Sequence, residues 1–225
     1  MIDFNSMIDN FLKREQRPKP VGKYYPSEIG NCIRKVWYSY KFPMEVEPRL
    51  IRIFEVGNIM HDFVVKVLKS EKNSDVELVK SEFPFKEIID DFEVSGRIDN
   101  LVLIKASGKS VLVEVKSSRD VNHINEAMPH NISQLQLYMH YLNVHDGILL
   151  YIGKNDLSAK VFNIKYDKDD AERILKRFKA LHKMLKSDIL PKPEARENQK
   201  TSWMCRYCEY RERCYNDTPS SREFL

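Results

Sequence analysis

Two runs rich in β-branched and aliphatic residues, 94–104 and 111–115, flank a turn at 106–110 that carries one glycine. Strands joined so closely pair as an antiparallel hairpin, and the core must be built around it. Side chains two apart share a face, so Glu114 and Lys116 point one way while Val113 and Val115 point into the core. Asp99 lies on the partner strand, where pairing brings its carboxylate alongside Glu114. Two carboxylates and an ammonium on one patch are costly in a sheet unless a cation and a phosphate join them. Phosphodiester hydrolysis wants such a patch. Hard carboxylate oxygens hold Mg²⁺ or Mn²⁺. The ion activates a water, and a lysine orients that water or stabilises the anionic transition state. A lone Glu-x-Lys is a weak signal, because surface strands carry the same pair as a solvated face.

At 225 residues the chain is one large domain, or a core with appended segments. The net charge of +4 is too mild to imply a polyanion partner, but its distribution is uneven. Residues 13–41 hold eight Lys/Arg against two Glu. The opening residues are not a signal peptide, and no apolar run approaches membrane-spanning length. The expectation is a soluble, intracellular chain whose four cysteines are ligands rather than disulfides.

Read in order, residues 1–14 place Phe4, Met7, Ile8, Phe11 and Leu12 at helical spacing. Residues 15–31 contain three prolines and read as an extended basic segment. Arg34, Lys35, Trp37, Tyr38 and Tyr40 then interleave cations with aromatics, the composition that stacks on single-stranded nucleic acid, although for Trp37 or Tyr38 taken singly packing against the core is the commoner role. A helix over 50–68 has an expected buried stripe of Ile53, Val56, Met60, Phe63 or Val64, and Val67. His61 lies beside it with Gly57 one turn earlier, which opens room for a metal or a phosphate. A strand is expected over 76–85 and a helix from near Pro129. On that helix Gln134 and Tyr138 are i,i+4 neighbours. A buried strand over 147–152, an alternating strand over 158–164 and a long helix capped by Asp167 and Asp170 complete the pattern. Ser107-Gly-Lys-Ser mimics the end of a phosphate-binding loop, but Leu103 stands where its first glycine belongs and no helix follows, so it is a hairpin turn.

The tail carries Cys205, Cys208 and Cys214 as C-x₂-C-x₅-C, and the remaining cysteine, Cys32, is far away. Four thiolates suit a structural zinc and equally an iron–sulfur cluster; spacing leaves the choice open. One early cysteine, the Asp…Glu-x-Lys hairpin and the late cysteine triplet together resemble the iron–sulfur nucleases of the RecB/AddB kind. In a chain this short they are most similar to the CRISPR-associated RecB-like exonuclease family.

That resemblance implies an α/β PD-(D/E)XK, restriction-endonuclease-like core: a central mixed sheet flanked by helices, with an iron–sulfur lobe built from both ends. The expected divisions are a basic and aromatic segment over 1–50, the nuclease core over 51–190 and the cluster segment over 191–225. It implies a cluster, [4Fe–4S] or in some relatives [2Fe–2S], on Cys32, Cys205, Cys208 and Cys214. It implies Mn²⁺ or Mg²⁺ held by His61, Asp99, Glu114 and the Val115 carbonyl, with Lys116 catalytic and Gln134 and Tyr138 positioning DNA. Arg34, Trp37 and Tyr38 are the expected contacts to the strand. The implied activity is metal-dependent cleavage of single-stranded DNA ends in the cytoplasm, in CRISPR prespacer processing. CRISPR integrase proteins are implied partners, a homo-oligomer stays open, and no membrane is involved. The alternatives are a viral or general repair nuclease of the same family, or a non-catalytic nucleic-acid-binding subunit. Genomic position beside CRISPR genes separates the first of these from the defence role.

Overall fold

A computed structural model describes residues 2–217 apart from 14 and 16. The helices are α1 (Phe4–Leu12), α2 (Pro26–Ile29), α3 (Ile33–Lys41), α4 (Pro48–Leu68), α5 (Pro129–Leu142), α6 (Lys168–Lys186), α7 (Glu194–Glu197) and α8 (Arg211–Asn216). The strands are β1 (Lys23–Tyr24), β2 (Val76–Ile89), β3 (Phe92–Ile104), β4 (Lys109–Ser118), β5 (Asp146–Gly153) and β6 (Ala159–Lys165). Helix α4, three strands, helix α5 and strand β5 reproduce the expected core order. Among the described residues no helix is long and apolar enough to cross a membrane.

The strands form one mixed sheet in the order β1-β3-β4-β5-β6, with β2 on the other edge of β3. The expected hairpin is present: β3 and β4 pair antiparallel from Ile104↔Lys109 to Asn100↔Val113. Gly108 takes φ 65 in its turn, a left-handed backbone that costs glycine little. Helix α5 carries the chain from β4 to its parallel neighbour β5, and Pro129 at its first turn gives up no needed hydrogen bond.

The edge of β3 that faces β4 is shared between two partners. Residues 100–104 pair with β4, and Glu93 and Val94 pair parallel with β1. Between them, residues 95–99 have no strand beside them, and the sheet forks. Gly96 sits in this gap because a Cβ there would meet Tyr138 Oη at 3.0 Å and Pro26 Cδ at 3.1 Å.

Both faces of the sheet are covered. One apolar cluster joins Leu112 and Leu149 to Leu135 and Met139 of α5, Phe178 of α6, Trp37 of α3 and Tyr210 of the tail. The other joins Val64 of α4 to Val111, Val113 and Val115 of β4. Glu114 alternates with these valines and is therefore buried too, 2% exposed, rather than part of a solvated face.

Two expectations need correction. Of the stripe foreseen on α4, Ile53, Val56 and Val67 are exposed and Val64 alone is fully buried, with Met60 packed partly against the valine cluster. The helix overhangs the sheet, and its first half meets α1 instead, where Arg52 donates to Asp9 and Asn5. Phe4, Met7, Ile8 and Phe11 on α1 are likewise exposed.

The second correction concerns Arg34, Trp37 and Tyr38, which do not face a nucleic-acid groove. Arg34 and Tyr38 are wholly buried and Trp37 nearly so. Arg34 Nε donates to the Pro191 carbonyl at 2.6 Å, Tyr38 Oη to Asp217 at 2.8 Å and Trp37 Nε1 to the Met184 carbonyl at 3.4 Å. Lys35 pairs with Glu209, Lys41 with Asp188, Lys23 with Glu93 and Lys19 with Glu28. The basic segment spends its charge on acids of this same chain.

Candidate active site and cysteine cavity

The fork gathers the acidic residues. Beyond the Asn100↔Val113 rung the backbone of β4 loses β3 as a partner, and Asp99 Oδ2 takes the freed Val115 N–H at 2.7 Å. This satisfies a buried donor and fixes the carboxylate. Lys116 Nζ donates to Glu114 Oε1 at 2.7 Å and to Gln134 Oε1 at 3.0 Å. Tyr138 donates to the Arg97 carbonyl at 3.1 Å, where β3 pairs with β2 but has no strand on its other edge, and accepts a longer bond from Gln134 Nε2 at 3.5 Å. Helix α5 thus closes the fork with the two residues that its spacing singled out. Across from them, His61 Nδ1 of α4 stands 3.4 Å from Asp99 Oδ1.

Burial and mutual charge govern the electrostatics. Burial first, and then the neighbouring Asp99 charge, push the Glu114 carboxyl up to about 7, against the pull of Lys116 and His61. Lys116 is also buried, which disfavours its charge, but Glu114 and Asp99 outweigh this and its pKa stands above the ordinary value. Both values rise for one reason: the second carboxylate, Asp99, disfavours the charge on Glu114 and favours the charge on Lys116. Burial likewise opposes the charge on His61, and Asp99, Glu114 and Glu82 outweigh it, so its pKa is raised. Glu114 Oε2 is buried without any hydrogen-bond partner. An orphaned carboxylate oxygen beside a carboxylate and an imidazole is what a divalent cation would satisfy.

A cleft of about 420 Å³ opens beside these residues, lined by Lys116, Ser117, Ser118, His130 and Tyr151 among others. The tight group of donor atoms, all within 4.8 Å of one another, is His61, Glu82 and Asp99. Sequence reasoning missed Glu82, which looked like one more polar position on a strand.

The four cysteines meet at a second site. Cys32, at the start of α3, and Cys205, Cys208 and Cys214 of the tail all line one cavity of about 110 Å³, and all four are free thiols. Burial raises the Cys205 thiol, and the charges of Cys32 and Cys214 raise it further, a sign of close approach. Burial is also the main cause at Cys208. The ends are tied beside the cavity by Glu194, which accepts the Ile33 N–H at 2.7 Å and a forked bond from Arg177 at 2.7 and 2.9 Å. Arg177 in turn donates to the carbonyls of Ile29 and Asn31.

The family model of the PD-(D/E)XK nuclease superfamily matches residues 16–215. The CRISPR-associated exonuclease Cas4 of Saccharolobus solfataricus is 23% identical over 220 residues, covering 90% of this chain and 95% of that protein. Among solved structures, SSO0001 superposes with a TM-score of 0.62 at 22% identity, covering 97% of this chain and 95% of the other. The phage-related exonuclease of Haemophilus somnus 129PT reaches a TM-score of 0.51 at 12% identity, over 73% of this chain and 94% of that one. These structural likenesses speak for the fold. The family match spans nearly the whole chain and contains the forked hairpin, Asp99, Glu114 and Lys116: this protein belongs to the PD-(D/E)XK nuclease superfamily.

Proposed function

We propose that this nuclease cuts DNA from single-stranded ends with the help of Mn²⁺ or Mg²⁺, carries an iron–sulfur cluster, and serves CRISPR adaptation by trimming prespacers. The observation that carries the catalytic part is the buried, unpartnered Glu114 Oε2 between Asp99 and Lys116. His61, Asp99, Glu114 and the Val115 carbonyl would hold the ion. When bound, it supplies positive charge to the phosphate and acidity to the attacking water.

The chain's own residues do the rest. Asp99 is anchored by the Val115 N–H, so it cannot swing away when a phosphate approaches. Lys116 is kept charged by Glu114 and aimed by Gln134, which leaves its third N–H for the water or a phosphate oxygen. Tyr138 holds β3 to α5 at Arg97, so the spacing of the two carboxylates survives substrate entry. The adjoining cleft gives the strand end somewhere to lie.

For the cluster, the donor set fits: four free thiols around one cavity, from both ends of the chain. Four thiolates suit a structural zinc or an iron–sulfur cluster alike; the resemblance to the iron–sulfur nucleases is what supports the cluster. The cluster's role is structural, joining α3 to the tail. The Saccharolobus relative, a CRISPR-associated exonuclease, supports the biological setting.

The test is cleavage of end-labelled single-stranded and duplex DNA with Mn²⁺, by the wild-type protein and by Glu114→Gln, alongside a visible absorption spectrum of anaerobically prepared protein. Metal-dependent trimming lost in the variant, from a brown protein, is expected. Cleavage unchanged in Glu114→Gln refutes the assigned site; a colourless protein with stoichiometric zinc refutes the cluster.

A further inference from the structure

Glu82 belongs to none of the motifs that led to the site. It lies on β2, where the rungs Ser81↔Asn100 and Phe83↔Ile98 set it opposite Asp99. Its φ is 50, the left-handed region that a non-glycine residue in a strand seldom adopts. Oε1 lies 3.7 Å from His61 Nδ1, and Oε2 lies 3.1 Å from Arg97 Nη1. His61 Nδ1 is therefore flanked by two carboxylate oxygens, at 3.4 Å from Asp99 and 3.7 Å from Glu82.

One ring nitrogen cannot make two good hydrogen bonds, and both distances exceed an ordinary one. The edge of a coordination octahedron is about 3 Å for bonds near 2.1 Å, so the three donors would draw together by a few tenths of an ångström around a bound ion. A second observation points the same way. Glu114 is 2% exposed, its Oε2 is unpartnered, and its charge acts on both Asp99 and His61. A buried negative oxygen is thus left unanswered beside the group.

We propose that Glu82 is itself a ligand of the divalent centre, binding through Oε1 beside His61 and Asp99. Arg97 takes the other oxygen, so it aims the carboxylate without competing for the ion. Three carboxylates, Glu82, Asp99 and Glu114, and an imidazole make a position that takes Mn²⁺ more tightly than Mg²⁺, since imidazole affinity rises along that series. This inference rests on the nuclease reading for the use of the ion and on the geometry alone for its binding.

The test is titration with Mn²⁺ alone, followed by the electron paramagnetic resonance of the free ion, on wild type, Glu82→Gly, Glu82→Gln and Asp99→Asn. Glycine tolerates φ 50, so Glu82→Gly should melt no lower than wild type in chelator while binding Mn²⁺ at least tenfold more weakly. Glu82→Gln keeps the side-chain size and should weaken binding to a similar degree. Asp99→Asn should bind no Mn²⁺. If both Glu82 variants bind Mn²⁺ as wild type does while Asp99→Asn fails, the nuclease reading stands and Glu82 is only the partner of Arg97. If Asp99→Asn also binds normally, the proposed metal centre falls with it.

Discussion

Replacing Glu114 by Gln should stabilise the metal-free protein while destroying its activity. The carboxyl is buried and faces Asp99, and its pKa rises to about 7, from an ordinary value of about 4.3. The folded state thus keeps a proton that the unfolded chain releases early. Stability falls as pH rises from about 4.3 to about 7, by roughly 1.4 kcal/mol per pH unit, and is flat above that. In total the ionised carboxylate costs the fold roughly 4 kcal/mol. Glutamine mimics the protonated acid and escapes this penalty, but it leaves Lys116 without its charged partner. A net gain of about 2 kcal/mol at pH 8 remains, or about 4–8 °C in Tm for a chain of this size. At pH 5 the gain should shrink to less than half. Thermal melts in chelator at the two pH values, read by circular dichroism, measure it directly. A variant that melts at or below wild type at pH 8, or a gap that ignores pH, refutes the account of Glu114 as a strained ligand awaiting a cation.

Lys116→Ala should leave Mn²⁺ binding within a few-fold of wild type and lower single-turnover cleavage by about 10²–10³; loss of Mn²⁺ binding instead would make Lys116 a structural prop. Cys205→Ser should bleach the visible absorption and lower the Tm, because the tail loses its tie to α3; an unchanged spectrum removes Cys205 from the ligand set. Glu194 is opposed by burial, but Arg177 and the Ile33 N–H outweigh this and hold its pKa below the ordinary value. Its contribution is therefore present above about pH 4.3 and lost on further acidification. At pH 7, Glu194→Gln should cost about 1 kcal/mol after solvent screening of a pair about a third exposed, read as a lower Tm whose difference from wild type closes in acid.

The parts of this protein that could be read in its sequence are those set by local pattern. The hairpin, helix α5 and the Glu-x-Lys pair follow from β-branched alternation, a proline at a helix start and an i,i+4 spacing. Glu82 was hidden because its place depends on strand pairing and on one reversed φ, neither of which leaves a mark in composition. The basic segment misled because its partners are distant: Lys35 meets Glu209 and Arg34 meets Pro191, and local charge counting cannot see them. Periodicity foresaw a buried stripe on α4 of which the structure fully buries only Val64. It could not tell how much of that stripe the sheet would cover, since coverage depends on where the helix crosses β4.

The cavity of four thiols also sets a schedule. Cys32 leaves the ribosome about 180 residues before Cys214, an interval on the order of ten to forty seconds at ordinary synthesis rates. During that time the sheet, α5 and α6 can assemble, but Arg34 waits with no carbonyl from Pro191 to receive its guanidinium. The segment made early is therefore the one completed last. A group held by all four thiols could enter only a finished chain, and a truncated product would carry the carboxylates of the fork without the contacts that join its two ends.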